Sequence, residues 1–114
     1  MTTKQVGDAA EGRAIAHLQA QGYRILRRNY RVRGGEVDTI AADGATLCFV
    51  EVRSRRSTAF GRAEETVSAA KQRRIILAAR HWLAGHPHAG PCRFDVVSMH
   101  GAEELLLLKD AFRV

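Results

Sequence analysis

The stretch from Glu36 to Arg53 reads as two strands joined at Asp43-Gly44, and this hairpin restricts the fold more than any other feature. Asp-Gly between strand-forming runs is a strong hairpin signal. In the later strand, Thr46 to Arg53, one face carries Leu47, Phe49, Glu51 and Arg53, and the other carries Cys48, Val50 and Val52. Both faces begin apolar, so this strand belongs at the centre of a sheet, covered on both sides. Glu51 and Arg53 then emerge from a face that is otherwise core. A carboxylate in that setting needs a metal, a cation or a hydrogen-bond network.

In the earlier strand, Glu36 to Ala42, the residues Glu36, Asp38 and Ile40 share a face. The loop length decides what they meet. An Asp43-Gly44 loop sets Glu36 opposite Glu51 with Asp38 diagonal. A four-residue loop sets Asp38 directly opposite Glu51, and a three-residue loop separates the two onto opposite faces. Either even-length loop leaves Asp38 and Glu51 roughly 5 to 8 Å apart at Cβ. Carboxylates that close repel unless a cation joins them, and oxygen-only ligands suit Mg²⁺ or Mn²⁺. A cross-strand salt-bridge cluster of Glu36, Asp38, Glu51 and Arg53 accounts for the pattern equally well.

The flanking segments suggest what packs on the hairpin. Lys4 to Gln21 reads as a helix, with Val6, Ala10, Ala14 and Leu18 at four-residue steps and Gly22 ending it. Tyr23 to Arg31 is rich in strand formers, and Arg33-Gly34-Gly35 is a turn. After a basic loop from Ser54 to Gly61, Thr66 or Ser68 caps a second helix that runs to about Leu83, with Ile75, Ala78, Ala79 and Trp82 as its apolar stripe. Cys92 to Met99 is a fourth strand, and Glu104 to Lys109 a fifth or a short edge piece. Helix, three strands, helix and strand predict an α/β fold: a mixed central sheet flanked by helices. At 114 residues the chain fits one domain, spanning residues 1–114.

Charge narrows the partners. Lys and Arg number 18 against 12 Asp and Glu, a formal net charge of +6, which points to an anionic partner. Nucleic acid is the commonest; an anionic membrane surface or solubility alone also fits. No apolar run is long enough to span a bilayer, and Met1 to Gln5 contains no signal core, so a cytoplasmic address and no membrane partner are expected. Cys48 and Cys92 lie in apolar runs far apart and read as buried, reduced thiols. His86-Pro87-His88 looks like a turn rather than a ligand pair.

Three further groups bear on chemistry. Glu11 aligns with Ile15 and Leu18 toward the core side of the first helix. It either adds a third carboxylate to the site or is an edge glutamate near a helix N-terminus, where negative charge is favourable. Arg53, Arg55 and Arg56 directly follow Glu51, and cations for a backbone beside carboxylates for a metal are what phosphodiester chemistry needs. Lys71 heads the second helix's stripe with Gln72 and Arg73 beside it. They either meet phosphates or line the site, or they form a solvated basic face. Asp95, in Arg93-Phe94-Asp95-Val96-Val97, reads as a structural partner of a basic residue. Few aromatics are available for base stacking.

Gly35-Glu36-Val37-Asp38-Thr39-Ile40 followed by Phe49-Val50-Glu51-Val52-Arg53-Ser54-Arg55 resembles the bacterial YraN family. Gly7 to Gly12, Phe60-Gly61, Lys71 and the Arg93–Val97 segment extend the likeness over nearly the whole chain. That family looks like a branch of the PD-(D/E)XK nuclease superfamily, near the Holliday-junction resolvases, in which an Asp ends one strand and a Glu-x-Lys ends the next. The resemblance implies a restriction-endonuclease-like core. It also implies metal ligation by Asp38 and Glu51, the carbonyl of Val52 as a further ligand, and Glu11 as the first-helix acid. Gln72 matches the helix glutamine of exonuclease-type members, whose later tyrosine is missing here. Arg53 stands where the superfamily has lysine, and arginine stabilises negative charge but is a poor base.

Together these point to a Mg²⁺- or Mn²⁺-dependent DNA endonuclease. Its metal site would be Asp38 and Glu51 with Glu11, Arg53 would steady transition-state charge, and Arg55, Arg56, Lys71, Gln72 and Arg73 would contact nucleic acid. Branched DNA as substrate would favour a homodimer, by analogy with the resolvases. The competing reading is a non-catalytic nucleic-acid- or partner-binding module on the same fold.

Overall fold

The computed structural model describes residues 3–55, 67–101 and 104–113, without the side chains of residues 3–8 and Arg55. In chain order the elements are α1 (Thr3–Ala20), β1 (Arg24–Val32), β2 (Gly35–Asp43), β3 (Thr46–Arg55), α2 (Ala69–Gly85), β4 (Cys92–His100) and β5 (Glu104–Phe112). The strands form one sheet in the order β1-β2-β3-β4-β5. All neighbours pair antiparallel except β3 and β4, which run parallel and are joined through α2. This is the expected α/β layout of a restriction-endonuclease-like core, with the last segment forming a full edge strand.

The helices begin and end for local reasons. At the end of α1, Gly22 takes a φ of 93°, a conformation that favours glycine. The Tyr23 N–H then donates to the Leu18 carbonyl (2.9 Å) and the Gly22 N–H to the Gln19 carbonyl (3.0 Å). These two bonds satisfy carbonyls that the helix would otherwise leave open. At the start of α2, the Ser68 hydroxyl accepts from the Lys71 N–H at 3.1 Å. Thr66, the other candidate cap, lies outside the described residues.

Each face of the sheet has its own core. On one, Ile75, Ala78, Ala79 and Trp82 of α2 pack on Tyr30, Val37, Ile40, Leu47, Phe49 and Phe94. On the other, Ala10, Ala14 and Leu18 of α1 pack on Ala41, Cys48, Val50, Val97 and Met99. The small alanines let α1 lie close to the strands. β3 is therefore covered on both sides, as its two apolar faces require. α2 approaches β2 at Gly35, where an added Cβ would fall 2.8 Å from the Arg74 carbonyl oxygen and 3.0 Å from the Ala78 nitrogen. Both atoms are backbone, so Gly35→Ala must displace the helix. It is expected to cost about 1–3 kcal/mol, read as a lower urea midpoint at unchanged m-value.

The α1 face also buries a polar network. Asp95 on β4 is fully buried. It accepts from Arg93 Nε (2.8 Å) and Nη2 (3.0 Å), from the Tyr23 hydroxyl (2.8 Å) and from the Asp110 backbone N–H (3.0 Å). Arg93 Nη2 also reaches Asp43 Oδ2 at 2.8 Å, and hydrogen bonding to Arg93 holds the Asp43 carboxyl below its usual range. Asp95 is thus the structural partner of a basic residue, as its sequence context indicated.

Cys48 is buried, but Cys92 is exposed, which corrects the expectation of two buried thiols. Cys92 is the first residue of β4 and follows the exposed Pro91, so apolar sequence neighbours do not give it cover. His88 holds the turn before β4, its Nε2 lying 3.1 Å from the Ala45 carbonyl oxygen and 3.2 Å from that of Pro91. Edge strand β1 exposes Arg24, Arg27, Arg28 and Arg31, charges that discourage edge-to-edge pairing. No helix among the described residues is long and apolar enough to cross a membrane.

Candidate metal centre

The site lies where β2 and β3 separate. Their pairing runs from Asp43↔Thr46 to Thr39↔Val50, and the next step in that register places Asp38 opposite Glu51. This is the register of the four-residue loop, tightened by one further pair so that Gly44 and Ala45 form the turn. Beyond Thr39 the Asp38 side chain takes over from the backbone, and its Oδ2 accepts from the Val52 N–H at 2.8 Å. That bond ties the carboxylate of β2 to the residue directly after Glu51.

Glu51 is 3% exposed. Burial pushes its carboxyl up to about 8, and the hydrogen bond and negative charge of Asp38 push the same way. The two acids are therefore in contact, and the charge of Asp38 disfavours ionisation of Glu51 beside it unless a cation intervenes. Among the described residues Glu51 Oε2 accepts no hydrogen bond, although Lys71 Nζ stands 3.2 Å away in an ion pair. Lys71 also donates to Glu36 Oε1 at 3.2 Å. Burial works against the charge on Lys71, but Glu51 and Glu36 outweigh it and hold the ammonium more firmly protonated than usual. Glu36 is in turn lowered by its hydrogen bond to Lys71 and flanked by Arg74 (3.3 Å) and Arg31 (3.7 Å).

The arrangement suits a divalent ion. A buried carboxylate pressed against a second carboxylate, with the Lys71 ammonium as its ion-pair partner, is a site where a further cation relieves the repulsion between the acids. Among the described residues no three His, Cys, Asp or Glu side chains stand close enough to share an ion. Two carboxylates nonetheless suffice for Mg²⁺, which keeps several of its waters.

Of the residues singled out in the sequence, Asp38, Glu51 and Lys71 converge here. Glu11 pairs with Arg28 at 3.9 Å instead. Gln72 reaches back to the segment before its own helix, its Nε2 donating to the Val67 carbonyl at 3.1 Å, and Arg73 is exposed on the outer side of α2. Arg53, half-buried, lies beside Ser98 in the parallel register. Arg56 and the Arg55 side chain fall outside what the structure describes. The sequence placed Glu36 in a charged cluster with Asp38 and Glu51 and Arg74 beside Lys71, but did not reveal that Glu36 pairs with both Lys71 and Arg74, nor did it single out Ser98, whose Oγ lies 3.1 Å from His100 Nε2 on the same face. Glu36 carried a signal, a charge in register with Asp38; Ser98 carried none.

The raised carboxyl has a consequence for stability. Glu51 binds its proton more tightly in the folded chain than in the unfolded one. Its contribution to stability is therefore present below the ordinary carboxylate range and is lost as pH rises toward about 8. Thermal melts in EDTA between about pH 5 and about pH 9 should show a falling Tm in the wild type and a flatter profile in Glu51→Gln. Identical profiles would contradict the assignment.

The family model described as Uncharacterised protein family UPF0102 matches residues 10–99. A UPF0102 protein of Paracidovorax citrulli is 56% identical over 104 residues, covering 88% of this chain and 77% of the relative. One of Dechloromonas aromatica is 50% identical over 111 residues, 97% of this chain and 91% of the relative. A third, from Nitrosococcus oceani, is 47% identical over 118 residues, 99% and 95%. With a family match over most of its length and relatives aligned nearly end to end, the chain belongs to the uncharacterised protein family UPF0102, the YraN family.

Proposed function

We propose that the protein is a metal-dependent endonuclease that hydrolyses phosphodiester bonds in DNA. The observation that carries this reading is the buried Glu51 carboxyl against the half-buried Asp38 at the point where two strands diverge, with Lys71 beside it. Asp38 and Glu51 would hold Mg²⁺ or Mn²⁺, with the Val52 carbonyl as a further oxygen. When bound, the ion supplies a Lewis acid for the phosphate and lowers the pKa of a bound water.

The remaining roles belong to this chain. Lys71 Nζ, kept charged by two carboxylates, stabilises negative charge rather than accepting a proton. It brings a lysine to the acidic pair from α2, where the superfamily's Glu-x-Lys has one on the strand and this chain has Arg53. Glu36 and Arg74 position it. Asp38, fixed by the Val52 N–H, keeps its carboxylate turned to Glu51. Cytoplasmic action, and a homodimer where the substrate is a symmetric branch, belong to the same proposal.

The test is cleavage of labelled duplex, single-stranded, flap and four-way-junction DNA in Mg²⁺, Mn²⁺ or EDTA. Metal-dependent cutting supports the reading. Binding without cutting under every condition would favour the non-catalytic module that Arg53 suggests.

A further inference from the structure

The outer side of α2 carries a second basic feature, separate from the acidic centre. A cleft of about 640 Å³ runs along it, lined by Arg73, Arg74 and Arg80 of α2, by Arg113 after β5, and by Gly34 of the β1–β2 turn. Leu77, 45% exposed, forms part of its wall. Residues 73, 77 and 80 recur at four- and three-residue steps, so they share one face of the helix. Arg74 pairs with Glu36 and Arg113 with Asp110, whereas neither Arg73 nor Arg80 has an acidic partner among the described residues. Among the described residues no acidic or aromatic side chain lines the cleft.

We infer that this cleft binds the sugar-phosphate backbone of a nucleic-acid duplex and leads it to the Glu51 centre. Two guanidinium groups with no acidic partner among the described residues favour an anion. A lining without aromatics gives bases nothing to stack on, which disfavours an unpaired strand. Arginine forks match phosphate oxygens, and Leu77 offers apolar contact to sugars. Arg73 and Arg80 are separated by about 10 Å along the helix, roughly three base-pair steps of a duplex. Continuity with the centre comes through Arg74, which lines the cleft and also holds Glu36 beside Lys71. The inference rests on the phosphodiester reading of that centre for its destination, but the binding itself is independent of catalysis.

The experiment is fluorescence anisotropy with a labelled duplex of about 20 base pairs and with one of its strands alone, in EDTA so that no cleavage intrudes. The proteins are the wild type, Arg73→Ala/Arg80→Ala, and a control of equal charge loss, Arg13→Ala/Arg24→Ala, on α1 and at the start of β1. The cleft variant should weaken duplex binding at least about tenfold at 0.1 M salt and flatten the salt dependence by roughly 1.8 log units per decade, two phosphate contacts' worth. The control should change binding less than about threefold. Equal effects of the two variants, an unaffected cleft variant, or a single strand bound as tightly as the duplex would each overturn the inference. Those results leave the chemistry of Glu51 untouched, because cleavage is tested separately by its own variant.

Discussion

Glu51→Gln is expected to reduce metal-dependent cleavage by at least about a thousandfold while leaving the fold intact. Glutamine keeps the shape of the side chain and removes the charge. It thus deletes half of the two-carboxylate pair and the charge that partners Lys71. The same change relieves a burial cost, because at 3% exposure the wild-type carboxylate ionises only against its surroundings. The variant should therefore melt at or above the wild-type temperature in EDTA near neutral pH, as happens where a functional site is held at the expense of stability. The two readouts are complementary: cleavage lost with Tm maintained or raised identifies a chemical role. Cleavage at the wild-type rate would remove Glu51 from the mechanism, and cleavage lost together with the fold would make it a structural residue.

Arg93→Ala should be among the most destabilising single changes on the α1 face, at about 3–5 kcal/mol. The reason is what it leaves behind. Asp95 is fully buried, and among the described residues Arg93 supplies its only ion pair together with two of its hydrogen bonds. Without the guanidinium, Asp95 must either stay charged in the core or take up a proton, and both cost stability. Asp43 loses the same partner at 2.8 Å, but it is less buried and keeps Lys109 at 3.3 Å, so most of the loss falls on Asp95. Tyr23→Phe removes two hydrogen bonds from the same network, one donated to Asp95 and one accepted from Arg93, but leaves the charge pair intact and should cost only about 1–3 kcal/mol. Urea denaturation of both variants checks the ranking. A loss below about 1 kcal/mol for Arg93→Ala would show that Asp95 finds other partners.

Features that depend on a few neighbouring residues were legible in the chain. The stripe Ile75, Ala78, Ala79 and Trp82 is the buried face of α2 without change, because helical burial repeats every three to four residues and shows in the sequence. β3 could be placed at the sheet's centre because both of its faces begin apolar. Asp38 and Glu51 stood out because each interrupts a run that should be apolar, and an interruption is visible without knowing its partner. The likeness to a known family agreed with these local signals and added the expectation of a metal.

Partners contributed by distant segments were not legible. The hairpin parity left open whether Asp38 or Glu36 would face Glu51. The register found here is anchored by the Asp43↔Thr46 pair and by the bond from Val52 to Asp38. Lys71 was noted for its place at the head of α2, yet its position between Glu36 and Glu51 depends on how α2 lies across β2, with backbone contact at Gly35. The Asp95 network draws on residues 23, 43, 93 and 110, which come together only once the strand order sets β4 between β3 and β5. Cys92 lies in an apolar run and is exposed all the same. Periodicity records which way a side chain points relative to its own element, whereas charge pairing and cover depend on which elements pack beside it.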